Sequence, residues 1–272
     1  MTSQHQQLIR QGLRGNQAKI IDQQRNSLPN FIIIGAAKSA TTTLTSILPN
    51  HPDVFISKPK EPKFFGRNYD KGWDWYASRF RAGQHLALRG EGSTMYTSKL
   101  GSFRHTPELM HQYLPDLKLI YIVRHPLDRI VSQWRHYRGR HPDCADFEDL
   151  MRNRSLKRLV VGCSMYYKQL SRFRRFYPDE QIHCMTFEDL LAKPKRSLRD
   201  MMQFLGVRPR VKTMLDSDGS LPRENEAGAK GRGHVDKPQW TPALKTQVLR
   251  KIRPDARQML AYMGKPQTYW DL

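Results

Sequence analysis

Residues 31–44, Phe-Ile-Ile-Ile-Gly-Ala-Ala-Lys-Ser-Ala-Thr-Thr-Thr-Leu, constrain the fold of this chain more than any other stretch. Four consecutive large apolar residues suit a strand buried on both faces of a parallel sheet. The next six positions carry no bulk except at Lys38, so main-chain N–H groups are able to close around a phosphate or sulfate. A helix opening at Thr41 adds its positive dipole end, and Lys38 adds a mobile cation. The lysine stands three residues after Gly35 and no Gly-Lys-Ser/Thr follows. That is not Walker A spacing, which disfavours an ordinary nucleoside triphosphatase. Taken alone, the segment also reads as a plain strand-to-helix turn with a solvated lysine.

The rest of the chain continues the alternation. Strands are expected at 54–56, 86–92, 117–123 and 181–187, and helices at 41–48, 73–80, 107–114, 126–137, 164–176, 194–205 and 242–263. Strands alternating with helices predict an α/β fold with a central parallel sheet flanked by helices. With 272 residues and no internal repeat, one domain over 30–272 is the simplest division. Residues 207–239 break the pattern with charge, Gly and Pro, too long for a routine connection, and read as a functional lid or a disordered loop. Residues 1–29 form a polar arm, a flexible tail or a packed helix, with no apolar signal-peptide core.

Lys and Arg number 46 against 25 acids, a formal charge of +21. Such a surface attracts polyanions: nucleic acid, acidic polysaccharide, anionic lipid or a highly phosphorylated nucleotide. Cys144, Cys163 and Cys184 are an odd set without metal-ligand spacing, which argues for a reducing compartment. With no long apolar run either, the expected location is cytoplasmic.

Ligands of open α/β sheets bind beyond the carboxyl ends of the strands. Four segments lie there: the Lys38 turn, Lys58-Pro59-Lys60-Glu61-Pro62-Lys63-Phe64-Phe65, Glu91-Gly92-Ser93-Thr94, and Arg124-His125-Pro126. Arg is a fixed fork for phosphate oxygens, and Ser132, about two helical turns on, is able to face the same pocket edge as Arg124. Glu61 is the only acid in its loop, stiffened by Pro59 and Pro62. It is a candidate general base, or simply a partner of Lys58, Lys60 or Lys63.

These segments resemble the sulfotransferases that use 3′-phosphoadenosine 5′-phosphosulfate (PAPS), above all the heparan-sulfate-type and related bacterial carbohydrate enzymes. Residues 34–44 resemble the family's 5′-phosphosulfate loop, 119–134 (LIYIVRHPLDRIVSQW) its 3′-phosphate motif, and Glu-Pro-x-Phe-Phe its catalytic-glutamate segment. The resemblance implies a P-loop-like three-layer fold and direct in-line sulfuryl transfer. Lys38 would meet the oxygen bridging phosphate and sulfate. Main-chain N–H groups of Lys38, Ser39, Ala40, Thr41 and Thr42, with the two threonine hydroxyls, would hold the 5′-phosphate. Arg124 and Ser132 would grip the 3′-phosphate, leaving 3′,5′-adenosine bisphosphate as product, with Glu61 as base and no metal required.

Lys230, Gly231 and Arg232 resemble a late segment that covers the nucleotide. Lys60, Lys63, Glu91, Ser93 and His136 are candidate acceptor contacts, with Glu91 either a second acid or a carboxylate paired to a basic neighbour, and His136 the second choice for base. Two departures stand out. Gly92 replaces a lysine usual in heparan-sulfate-type enzymes, removing a cation from the expected site. Ala40 replaces a frequent glycine, which keeps the cradle provided φ is negative. The implied acceptor is a carbohydrate hydroxyl, the alternatives being a lipid, polyketide or other small metabolite alcohol. Outside enzymes, the rival is a basic nucleic-acid-binding protein, suggested by the charge and by Arg172-Phe173-Arg174-Arg175-Phe176-Tyr177.

Overall fold

The computed structural model describes residues 3–13, 24–222 and 235–272. Five strands, β1 (Phe31–Gly35), β2 (Val54–Ile56), β3 (Leu88–Glu91), β4 (Lys118–Val123) and β5 (Ile182–Thr186), pair in parallel in the order β2-β3-β1-β4-β5. The main helices are α1 (Ser3–Leu13), α2 (Thr41–Ile47), α3 (Gly72–Ser78), α4 (Thr106–Tyr113), α5 (Pro126–Arg138), α6 (Tyr166–Phe173), α7 (Phe187–Ala192), α8 (Pro194–Leu205) and α9 (Pro242–Tyr262).

Side chains alternate across a strand, and β1 and β4 are apolar at both parities. Ile32, Ile34, Leu119, Tyr121 and Val123 join one core cluster, with Trp73 and Tyr76 of α3, Met110 of α4, Phe173 of α6 and Met259 of α9. Phe31, Ile33, Ile120 and Ile122 face the opposite way, against Leu44 and Ile47 of α2 and Leu198, Met201 and Leu205 of α8. This is the three-layer α/β arrangement expected from the apolar runs, with most element ends within two residues of expectation. The clearest shortfall is α6, which stops at Phe173 rather than 176, where the chain turns toward Pro178. Ile9 of α1 is buried in the first cluster. Among the described residues no helix is long and apolar enough to cross a membrane.

The run Arg172 to Tyr177 is no stacking platform for bases. Phe173 and Tyr177 are buried in the core. Arg172 donates to the carbonyls of Thr97, Ser98, Phe103 and Arg104, and Arg174 pairs with Asp179. The aromatic interleaving behind the nucleic-acid reading is helix packing.

From β1 the chain departs toward β2 at one edge, and from β4 toward β5 at the other, so a crevice forms where the carboxyl ends of β1 and β4 adjoin. Arg129 of α5 is fixed beside it and is 1% exposed. Its guanidinium donates to Ala37 O (3.0 Å), Val160 O (2.8 Å) and Ser164 Oγ (2.9 Å), which ties the turn after β1 to the layer outside it. Arg129→Lys keeps the charge but not the planar fork, leaving buried carbonyls without donors. The expected loss, measured by urea denaturation, is about 2 kcal/mol.

Candidate active site

The turn after β1 curls back on itself. Lys38 and Ala40 have φ of 72° and 63°, so the condition placed on Ala40 is not met. It sits in the left-handed region as the residue preceding α2, at a cost of about 1 kcal/mol for a residue with a Cβ. Gly35 cannot be larger: a Cβ there would lie 2.9 Å from Thr97 Oγ1 and 3.3 Å from Thr94 O. Ser39 is wholly buried and its hydroxyl has no hydrogen-bond partner among the described residues. A buried, unsatisfied hydroxyl in a small-residue turn fits an anion such as a 5′-phosphate, which would accept from it.

The loop after β2 lies against this turn. Lys60 Nζ donates to Thr42 Oγ1 (2.7 Å) and stands 4.0 Å from Glu61 Oε1. Glu61 Oε1 accepts from Thr94 Oγ1 (3.0 Å), and Oε2 pairs with Lys63 Nζ at 3.0 Å. One quarter of the Glu61 side chain is exposed. Cradle, cation and carboxylate are therefore contiguous.

Lys38 Nζ lies 3.5 Å from His136 Nδ1. His136 and Ser132 are four residues apart on α5 and share one helix face, which brings the expected 3′-phosphate helix to the cradle. Arg124 follows β4, with its guanidinium 4.6 Å from the Phe187 ring centre and 3.8 Å from Asp128 Oδ2, and with Nε buried and unpartnered among the described residues. An aromatic platform on one side and an unsatisfied donor suit an oxyanion ligand. Lys230, Gly231 and Arg232 lie outside the described residues.

Glu91 and Ser93, expected among the acceptor contacts, are both completely buried. Glu91 Oε1 accepts from Tyr76 OH and Tyr96 OH, each at 2.8 Å, and Oε2 accepts from Ser93 Oγ. Its partners are hydroxyls, not the basic neighbour expected. Burial pushes its carboxyl up to about 7, opposed by the hydroxyl donors and reinforced by Glu61 nearby. Sequence reasoning missed Tyr76 and Tyr96 as partners of Glu91. It also missed Arg129, which shares a helix face with Gln133, away from the apolar stripe of Leu127, Ile130, Val131 and Trp134, so that hydrophobic periodicity gave no sign of its burial.

A concavity of about 720 Å³ adjoins the segment following these residues. Arg10, Lys99, Arg104, Arg158 and Lys168 line it, with no acidic side chain. Partial burial, then the nearby charges of Arg172 and Lys168, lower the Lys99 pKa, the mark of positive charge without a counter-ion.

Comparison with known proteins decides the family. The sulfotransferase domain profile matches residues 28–220. The chain belongs to the sulfotransferase family. Among curated sulfotransferases it is similar to heparan sulfate glucosamine 3-O-sulfotransferase 3A1 of Mus musculus, 31% identical over 252 residues, covering 88% of this chain and 63% of that protein. It is also similar to bifunctional heparan sulfate N-deacetylase/N-sulfotransferase 2 of Mus musculus, 27% identical over 276 residues, covering 89% of this chain and 31% of that protein. The chain thus spans less than two thirds of the length of these relatives. A sulfotransferase from Alicyclobacillus acidocaldarius shares the fold with a TM-score of 0.67 at 23% identity, covering 90% of this chain and 99% of that one. Mouse sulfotransferase SULT7A1, solved with PAP, does so at 0.51 and 15%, covering 84% of each.

The Glu91 carboxyl sets a stability dependence on pH. Its proton is held more tightly folded than unfolded, so its contribution is complete below about pH 4.5 and is lost as pH rises to about 7. The loss is about 3 kcal/mol. The difference in unfolding free energy between wild type and Glu91→Gln, measured in urea from pH 4.5 to 8, should shift by about that amount in favour of the variant.

Proposed function

We propose that this sulfotransferase moves a sulfuryl group from PAPS to a hydroxyl of an acidic carbohydrate. The observation that carries the reading is Lys60, which joins an oxyanion-shaped turn to a carboxylate through Thr42 Oγ1 and Glu61 Oε1. Sulfuryl transfer needs those two parts side by side. When bound, PAPS supplies the activated sulfuryl group. Ser39, Thr41 and Thr42 would hold its 5′-phosphate, and Arg124 and Ser132 its 3′-phosphate, as the orphaned Ser39 hydroxyl and Arg124 Nε favour.

Glu61 accepts the proton of the acceptor hydroxyl as that oxygen bonds to sulfur. The bond from sulfur to the phosphate oxygen breaks, and Lys38 stabilises the charge left on that oxygen. His136, within reach of Lys38 Nζ, orients the lysine. Lys60 keeps Glu61 against the cradle and shares the charge that develops there.

An acidic acceptor is favoured over a neutral lipid or metabolite alcohol by the basic concavity, where five cations face one space without an acid. The heparan sulfate named in the relatives' descriptions agrees with that chemistry. The three described cysteines are all unpaired, consistent with the reading of a reducing, cytoplasmic location. Residues 30–272 act as one unit in this reading; 223–234, within the expected covering loop, lie outside the described residues.

Calorimetry with 3′,5′-adenosine bisphosphate tests the cofactor half. Wild type should prefer it over 5′-AMP, and Arg124→Ala should weaken the bisphosphate about a hundredfold while changing AMP little. Equal weak binding of both nucleotides, fading together as salt rises, would instead mean a nonspecific basic surface. For the chemical half, Glu61→Gln should abolish transfer with bisphosphate affinity within about twofold of wild type. A fully active Glu61→Gln protein would remove Glu61 as the base.

A further inference from the structure

The loop that carries Glu61 is held by the segment leaving β3 through contacts that converge on one buried group. Lys63 N donates to Ser93 Oγ (2.9 Å) and Phe65 N donates to Tyr96 OH (3.3 Å). Ser93 and Tyr96 in turn donate their own protons to the two oxygens of Glu91, and Tyr76 of α3 adds a third donor. Main-chain bonds flank the arrangement, Ser57 N to Gly90 O (2.9 Å) and Gly92 N to Lys60 O (3.1 Å).

A hydroxyl has one proton and two lone pairs, so its role in a network is ambiguous until a neighbour fixes it. Above about pH 7 the Glu91 carboxyl is ionised and only accepts. Beside Glu91, Ser93 and Tyr96 must point their protons inward, which leaves only lone pairs for the loop, and those match the N–H groups of Lys63 and Phe65. Lys63 has φ of 52°, a conformation that an unanchored lysine leaves readily. Glu61 lies two residues before it.

We propose that Glu91 is a positioning residue that acts through Ser93 and Tyr96 to hold the Glu61 loop in register with the anion cradle. It touches neither substrate. Its carboxylate sets the direction of two hydroxyls, and those set the main chain on either side of Phe64. Its catalytic consequence rests on Glu61 being the base.

The test has a structural and a kinetic arm, both on the full chain. In amide hydrogen exchange, Ser93→Ala should speed exchange at Lys63 and Tyr96→Phe at Phe65 by tenfold or more, while β4 amides stay protected. Glu91→Gln, whose amide oxygen still faces the two tyrosines and whose N–H faces Ser93, should speed exchange at Lys63. In the kinetic arm, with PAPS and a glucosamine–uronic acid oligosaccharide as acceptor, each of the three variants should lower kcat roughly ten- to a hundredfold with KM and bisphosphate Kd nearly unchanged. Glu91→Asp, which keeps an acceptor-only group, should recover part of the loss. Unchanged exchange at Lys63 and Phe65 in all three variants would overturn the proposal, and needs no acceptor to observe. Loss of transfer in Glu61→Gln with undiminished kcat in the others would overturn the positioning role and leave the base reading standing. Full activity in Glu61→Gln would remove the base and leave the exchange arm to decide whether Glu91 holds the loop. Should Glu91→Gln not fold, the two hydroxyl variants carry both arms.

Discussion

The pairing of β1 with β4 is the contact on which every candidate anion-handling group depends. Adjacent parallel strands lie roughly 4.8 Å apart, so whatever follows β1 is placed beside whatever follows β4. The register runs Phe31 to Lys118 and Ile33 to Ile120, then shifts at Gly35. Both strands are apolar on both faces because helices cover both, and that double burial prevents slippage: moving one strand by a single residue would exchange the side chains packed in the two core clusters. The small-residue turn after β1 and Arg124 after β4 are brought together by hydrophobic side chains remote from both.

Among the described residues the two most deeply buried charged side chains, Glu91 and Arg129, are opposites. Arg129 is buried among carbonyls and a hydroxyl and restrains the cradle from below. Glu91 is buried among hydroxyls and restrains the loop facing the cradle. Both are held by hydrogen bonds with neutral hydroxyls and carbonyls. A buried ion of this kind is costly unless all its hydrogen-bonding capacity is met, and both are met by groups on separate segments. Such an arrangement exchanges stability for fixed geometry, because each segment is held in only one place relative to the next. The raised Glu91 carboxyl is the thermodynamic trace of that exchange.

The parts of the molecule legible in the sequence were those whose physics is local. β1 and β4 announce themselves as apolar runs, α5 by Pro126 at its start and α8 by Gly206 at its end. The position of Lys38, Glu61 and Arg124 after strands followed from the general rule for α/β sheets. What could not be read was long-range. Tyr76, Glu91 and Tyr96 meet only once α3 has packed over β3, and no periodicity marks a tyrosine as a donor to a carboxylate rather than a core side chain. The left-handed Ala40 was hidden for a different reason: tertiary packing overrides the local preference of a residue with a Cβ. The aromatic and basic run at 172–177 looked like a binding surface because sequence shows spacing but not which side faces inward.

Gly92 shows how a departure in sequence is read differently once its surroundings are known. In sequence alone, Gly92 removes a cation from the expected site. In the structure, a Cβ at Gly92 would lie 2.7 Å from Thr45 Cγ2 and 3.8 Å from Lys60 Cε, so a side chain there would crowd α2 and run alongside Lys60. The missing bulk leaves room for the Lys60 side chain, whose Nζ reaches both Thr42 and Glu61. Charge is thus supplied from the loop after β2 instead of the segment after β3. Lys60 also belongs to the loop that carries Glu61, so any movement of that loop displaces carboxylate and cation together. A site built this way gathers its electrostatics on one element, and that places a premium on whatever holds the element still. Gly92 N, donating to Lys60 O, and Ser93, donating to Glu91, are consecutive residues bound to that task.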